Sequence, residues 1–108
     1  TRLDGFRTIL RTLQRARQWE AALEVLCETI PTLGLDPDKD CYMSTFVALE
    51  ENRKGAHAPR VFEMMKERGF VDQRCVAAGM RALSKSSLWR QALSIYTDLI
   101  KNEKNNYT

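Results

Sequence analysis

Three segments of this chain resemble one another at nearly constant spacing, and this internal repeat limits the folds that the sequence can adopt. Each segment begins with an alanine and ends with two apolar residues, and the segments are 22–26, 58–62 and 92–96. They start 36 and 34 residues apart. A period in the mid-thirties is typical of arrays in which each unit is a pair of helices that packs against the next unit. We therefore expect an all-α chain of similar helix pairs.

Apolar residues recur at helical spacing on both sides of a short polar break in every unit. The first helices carry Leu3, Phe6, Ile9, Leu10 and Leu13, then Tyr42, Phe46, Val47 and Leu49, then Val76, Ala77, Met80 and Leu83. The second helices carry Trp19, Ala22, Leu23, Leu26 and Ile30, then Val61, Phe62 and Met65, then Trp89, Ala92, Leu93, Tyr96, Leu99 and Ile100. No stretch alternates like a strand. The pattern predicts about six helices whose apolar faces are buried.

Helix-capping residues and turn residues divide the chain into units. Asp4 is placed to cap the first helix and Asp38 or Asp40 the third, and the third unit opens at Asp72 or Gln73. Gly34 and Gly69 follow the second helix of their units, where glycine commonly ends a helix. Pro59 falls in the first turn of a helix, where its missing N–H costs nothing. We divide the chain into repeats 1–38, 39–72 and 73–102 and a polar tail 103–108, expected to be part of a longer array.

Composition excludes several classes of protein. The chain has 108 residues, 44% of them apolar, which is enough for one buried core. No apolar run approaches the roughly 18 residues that a membrane-spanning helix needs. The chain begins at Thr1, and residues 1–10 lack the pattern of a signal peptide, so we expect a processed protein or an excised segment.

Cysteine and histidine are too few and too scattered for a metal site. Cys27, Cys41 and Cys75 are an odd number without a CxxC pair, and His57 is the one histidine. Neither a disulfide framework nor a zinc site is expected, and buried or half-buried free thiols suit a reducing compartment. No nucleophile stands in obvious combination with a base and an orienting group. We expect no metal, no cofactor and no enzymatic activity.

The distribution of positive charge is more informative than the net charge of +3 and the isoelectric point of about 8.9. Arg7, Arg11 and Arg15 recur every four residues in the first helix, and like charges at this spacing slightly destabilise a helix. The third repeat carries a similar set, Arg74, Arg81 and Lys85. Corresponding positions align in a stacked array, so these six form a predicted basic stripe. It fits contact with RNA phosphates or an acidic partner; the alternative is an ordinary solvated helix face.

The ends of the repeats resemble those of a known family. Residues 32–38 read Thr-Leu-Gly-Leu-Asp-Pro-Asp, and residues 65–72 read Met-Lys-Glu-Arg-Gly-Phe-Val-Asp. These segments look like the unit ends of pentatricopeptide-repeat (PPR) proteins, and the resemblance covers residues 4–100 as three consecutive units. It implies a right-handed superhelical solenoid that binds single-stranded RNA in mitochondria or plastids, with one base read per unit by two or three side chains.

The resemblance also implies which residues face the bases. In this family the residue after the early aromatic of each unit acts together with the last residue of the unit. Those positions are Arg7 with Asp38, Met43 with Asp72, and Ala77 with a partner that we cannot place. The terminal acids match the family pattern. The first positions depart from its Asn, Thr or Ser, because Met and Ala cannot bond a base edge and Arg7 would reach a phosphate.

These observations predict a role in organellar RNA metabolism or translation. The departures from the family pattern favour contact with the RNA backbone, or an architectural place in a ribonucleoprotein such as a mitochondrial ribosome, over base recognition. Expected partners are single-stranded or ribosomal RNA, protein subunits of such a particle and neighbouring repeats of the same chain. The alternative is a tetratricopeptide-like scaffold that binds protein without RNA. Its usual glycine, tyrosine and closing-proline positions are not matched here: Gly79 comes too early and Pro31 is the one closing proline.

Overall fold

The structure of this protein is a computed structural model that describes residues 2–106, with side chains described for residues 2–101. This part of the chain is all-helical, as predicted, and its six helices follow one another as three pairs. We number them α1 (Arg2–Arg15), α2 (residues 19–32), α3 (Lys39–Glu51), α4 (Ala58–Glu67), α5 (Gln73–Lys85) and α6 (Trp89–Asn106).

The predicted cap at Asp38 is confirmed, and Asp72, at the predicted opening of the third unit, also caps its helix. The Asp38 carboxylate accepts a hydrogen bond from the Cys41 N–H at 3.1 Å, and Asp72 accepts from the N–H groups of Arg74 and Cys75 at 2.9 and 3.2 Å. These three bonds satisfy helix-end donors that would otherwise lack a partner. The expected cap at Asp4 is wrong, because α1 already begins at Arg2. Asp4 lies instead in the first turn, where a carboxylate interacts favourably with the helix dipole.

The turn inside each pair has the same unusual backbone conformation. Arg17, Arg53 and Ser87 all have positive φ angles, of 59°, 53° and 61°. A residue other than glycine in this left-handed region costs about 1–2 kcal/mol. Because the three residues are 36 and 34 positions apart, the backbone repeats with the same spacing as the sequence segments.

Corresponding positions are 36 residues apart from the first repeat to the second and 34 from the second to the third, and the structure shows where the two additional residues are accommodated. Arg17 precedes Gly34 by 17 residues, whereas Arg53 precedes Gly69 by 16. The additional helical residue lies in a π turn, Val25–Thr29, which joins the α-helical segments Trp19–Glu24 and Ile30–Thr32 of α2. A π turn holds one more residue per hydrogen-bonded ring than an α turn. The second additional residue lengthens the loop between Gly34 and Asp38.

The first helices of the pairs pack side by side. Helix α3 packs against both α1 and α5, so it is the centre of this first layer. Each first helix also contacts the second helix of the preceding pair, because α3 touches α2 and α5 touches α4. The shortest dimension of the molecule is 19 Å, as expected for two layers of helices about 10 Å apart. A new pair therefore docks into the groove between the two helices of the pair before it.

Glycine allows the closest approaches between the second and third pairs. A Cβ atom on Gly79 of α5 would lie 2.6 Å from Phe62 Cε2 and 2.9 Å from Phe46 Cε1. One on Gly55 would lie 2.7 Å from the carbonyl carbon of Ala82. The Gly55 N–H also donates to Ser86 Oγ at 2.8 Å. Both places need a residue without a side chain.

The apolar face of α6 was predicted to be buried, but three of its large side chains are exposed. Trp89 is 60% exposed, Leu93 62% and Tyr96 49%. Their spacing does place them on one face of the helix, but no helix of the described part packs on its outer side. Helix α6 continues across residues 103–106 of the segment expected as a polar tail, and residues 107–108 lie outside the described residues.

Candidate nucleic-acid interface

Arg7, at the amino-terminal end of the predicted basic stripe, is surrounded by acids. Its guanidinium forms ion pairs with Asp4, one turn earlier in α1, and with Asp38 at the start of α3. Two carboxylates thus face this one cation. Arg7 joins the first two repeats rather than offering a free positive charge.

Asp38 combines the cap of α3 with the ion pair to Arg7. Partial burial raises the pKa of its carboxyl group, but the Cys41 N–H and the Arg7 guanidinium lower it by more. The net result is a pKa below the usual value for aspartate, so this acid is ionised at neutral pH. The side chain is held from two sides, and its oxygens are already engaged by protein groups.

Arg11 and Arg15 occupy successive turns of α1 and are both exposed. Neither forms an ion pair with any residue whose side chain the structure describes. Arg15 also lies in the last turn, where a positive charge interacts favourably with the helix dipole. These two residues present free positive charge on α1.

Arg81 and Lys85 lie one turn apart on α5 and share a single acid of α3. Arg81 Nε is 3.4 Å from one oxygen of Glu50, and Lys85 Nζ is 3.1 Å from the other. The Glu50 side chain is only 15% exposed, whereas both cations are more than half exposed. Two cations against one carboxylate leave one positive charge in excess at the surface.

Helix α3 places acids between the basic residues of α1 and α5. On the α1 side, Gln14 Nε2 donates to Glu51 at 2.6 Å; on the α5 side, Glu50 receives Arg81 and Lys85. The second repeat thus interrupts the stripe with charge of the opposite sign. Arg74 is the remaining residue of the stripe. It is exposed in the first turn of α5 and forms no ion pair with any described side chain.

The three remaining base-facing positions differ in what they can offer a ligand. Asp72 caps α5 through one oxygen. Met43 is half-buried in α3, and Ala77 is exposed at the edge of a groove between α5 and α6. Neither Met43 nor Ala77 has a side-chain group that can bond a base edge.

The structure adds basic residues that the stripe did not include. Arg17 and Arg53 occupy the positive-φ turns and are exposed. Arg53 Nη1 lies 3.4 Å from the Lys85 carbonyl oxygen, so the turn of the second pair adjoins the basic end of α5. Lys54 Nζ lies 5.3 Å from the Trp19 ring centre. The sequence signal for Arg17 and Arg53 was their corresponding position, 36 residues apart, in the breaks between helices.

The described part holds neither a metal-binding cluster nor a membrane-spanning helix. No three His, Cys, Asp or Glu side chains among the described residues converge as metal ligands do. The helices of this part are too short or too polar to cross a membrane. Burial raises the pKa of Cys41 to about 11 and that of Cys75 to about 12, so both thiols are protonated at neutral pH.

Comparison with known proteins adds no relative to this geometry: no family model, curated protein or solved structure matches the chain.

Proposed function

We propose that this chain is part of a PPR-like, right-handed superhelical solenoid that binds single-stranded or ribosomal RNA through its backbone. Its proposed setting is organellar RNA metabolism or translation, in the mitochondrion or alternatively the plastid, for example within a mitochondrial ribosome. The observation that carries the proposal is the exposure of Arg11 and Arg15, two unpaired cations one turn apart. Phosphate groups satisfy such cations and release counterions on binding.

The distribution of charge supports a short basic surface rather than a continuous stripe. Arg7 is balanced by two acids, while Arg81 and Lys85 together exceed Glu50 by one charge. The basic surface that we propose therefore comprises Arg11, Arg15, Arg81 and Lys85, with Arg17 and Arg53 at the adjoining turns.

The base-facing positions support backbone contact over base reading. Asp38 is held by a helix cap and an ion pair, so using it for a base would require breaking both. Met43 and Ala77 offer no hydrogen bond. Affinity should depend strongly on salt and weakly on RNA sequence.

The test is binding of labelled, mixed-sequence single-stranded RNA, titrated over salt. The native chain is to be compared with two variants. One is Arg11→Glu/Arg15→Glu, and the other is a charge reversal of equal size on α4 and α6, Arg60→Glu/Lys101→Glu. Arg60 and Lys101 are exposed and lie on α4 and α6, away from the basic surface. Arg60 lies 3.5 Å from Glu28, and the loss of such an exposed pair costs little stability. Helix content measured by circular dichroism establishes that each variant is folded.

Binding that weakens steeply with salt, is lost in the first variant and persists in the second would support the proposal. Each phosphate contact removed should reduce the slope of log K against log salt by about 0.7. Equal losses in both variants would indicate general charge attraction without a defined surface. If the folded native chain fails to bind at low salt, the proposal is wrong and a protein-binding helical scaffold becomes the better account.

A further inference from the structure

The open groove between α5 and α6 corresponds to a groove that is filled elsewhere in the molecule. It measures about 240 Å³ and is lined mainly by apolar side chains, among them Val76, Met80, Tyr96 and Leu99. The corresponding residues of the second pair lie 34 positions earlier and are all buried: Tyr42, Phe46, Phe62 and Met65. The first helix of the next pair, α5, contacts both helices of that second pair.

The contact at the filled groove depends on a small residue. The rings of Phe46 and Phe62, 4.9 Å apart, form its floor, and Gly79 of α5 packs directly on them. Thr45 holds the place of Gly79 in α3, where it is fully buried against the first pair. The corresponding floor in the third pair, Met80 and Tyr96, has no described residue on it.

The same relationship holds at the other end of the second helices. Trp19 of α2 is half-buried, with the His57 ring 4.9 Å away and Lys54 on the ring, and both come from the following pair. Trp89 holds the place of Trp19 in α6 and is 60% exposed, with Arg90 beside it. The exposed face thus continues two interfaces that already exist within the molecule.

We infer that the face formed by Met80, Trp89, Leu93 and Tyr96 docks a further helix pair of the same construction. The first helix of that pair packs a glycine, alanine or serine against Met80 and Tyr96. A second copy of the chain fits less well. Its α1 would set Ile9, a large β-branched residue, at the place of Gly79 and Thr45. This inference concerns protein packing and does not depend on RNA binding.

The test extends the array by one pair. In the extended chain, residues 1–100 are followed by a copy of residues 67–106. The copied α5 therefore follows α6 with the same spacing at which α5 follows α4 in the native chain. Two substitutions leave a single tryptophan as the fluorescent reporter: Trp19→Phe in the original segment and Trp89→Phe in the copy. The reporter is then Trp89 of the original segment. Quenching of its fluorescence by acrylamide is measured together with urea unfolding, against the 108-residue chain carrying Trp19→Phe.

We expect the extension to lower the quenching constant of Trp89 severalfold and to raise the urea midpoint in a single transition. Gly79→Leu in the copy only should reverse both effects, because the three original pairs stay unchanged. Unaltered quenching, or separate unfolding of the added pair, would overturn the inference. So would concentration-dependent protection of Trp89 in the 108-residue chain with sedimentation as an oligomer, because the face would then take a second copy.

Discussion

Leu23 and Leu93 occupy the same place in the second helices of the first and third pairs, yet Leu23 is 5% exposed and Leu93 is 62% exposed. The residue type and the helix position are identical, so the difference comes from the neighbours. Helix α2 packs against α3, and Leu23 lines a groove together with His57, which immediately precedes α4 of the second pair. Leu93 has no such neighbour among the described residues.

This difference predicts unequal losses of stability. Leu23→Ala should lower the free energy of unfolding by about 2–5 kcal/mol, because it removes buried apolar surface and leaves a cavity. Leu93→Ala should change it by less than about 0.5 kcal/mol. Urea denaturation followed by circular dichroism measures both values, and equal losses would show that the face of α6 is covered in solution.

The close approach at Gly55 gives a second prediction. Gly55→Ala sets a Cβ against the backbone of Ala82, which cannot yield as a flexible side chain can, and should destabilise the protein by about 1–3 kcal/mol. Gly5→Ala is the matched control, since a Cβ at Gly5 meets nothing within 4 Å. Alanine at this exposed position of α1 should raise the free energy of unfolding by about 0.5–1 kcal/mol. Thermal unfolding of the two variants should therefore move in opposite directions.

Asp38→Asn should flatten the loss of stability in acid. The pKa of Asp38 is lowered in the folded protein, so its charge adds stability that is present above the unfolded pKa of about 3.9. That stability disappears as the pH falls through the folded pKa. Asparagine keeps the helix cap and removes the charge. Unfolding free energies from pH 6 to pH 2 test this, and parallel curves for the native protein and the variant would contradict it.

The ion pair to Arg7 can be separated from the other causes in the same experiment. Arg7→Gln removes the guanidinium, so the pKa of Asp38 should rise toward its ordinary value. Any difference that Arg7→Gln still makes in the Asp38→Asn background comes from other partners of Arg7, such as Asp4, and subtracting it leaves the part that acts through Asp38.

Glu50→Gln should strengthen RNA binding if the proposed function is right. The change frees Arg81 and Lys85 from their shared carboxylate. A gain of about two- to fivefold at low salt corresponds to the 0.5–1 kcal/mol typical of surface charges. Glu67→Gln, on α4, is the control and should leave affinity unchanged. Unaltered affinity in both variants would place the bound RNA elsewhere.

Thiol reactivity should follow burial. Cys27 is half-buried, whereas Cys41 and Cys75 are fully buried. Because burial raises the pKa values of the latter two to about 11 and about 12, they should resist iodoacetamide at pH 8 until the helices open. Mass spectrometry should find Cys27 modified first. Early modification of Cys75 would mean that α5 separates from α3 in the native state.

The fold could be predicted from local features. Helical spacing, the caps at Asp38 and Asp72, and Pro59 in a first turn each depend on residues within a few positions of one another. The burial of Trp89 and Leu93 could not be predicted in the same way. Spacing shows which face of a helix a residue shares, but a neighbouring helix decides whether that face is covered.

The candidate site was less predictable because its charges pair across repeats. Asp38 is 31 positions from Arg7, and Glu50 is 31 positions from Arg81. Spacings of three or four residues reveal partners on one helix only. Which cations are neutralised depends on how the helices stack, so four residues of the stripe remain in the proposed surface, and Arg17 and Arg53 of the turns join them.

The π turn in α2 lets repeats of different length keep the same rotational phase. One inserted residue would rotate the rest of an α-helix by about 100° and turn its apolar side chains away from the core. The turn at Val25–Thr29 absorbs that rotation, so Ile30 is buried just as Met65 is in the next pair. A helix of this kind can gain or lose a residue without exchanging its inner and outer faces. Related repeats can therefore drift in length while their contacts stay aligned, and a search that assumes one fixed period would overlook them.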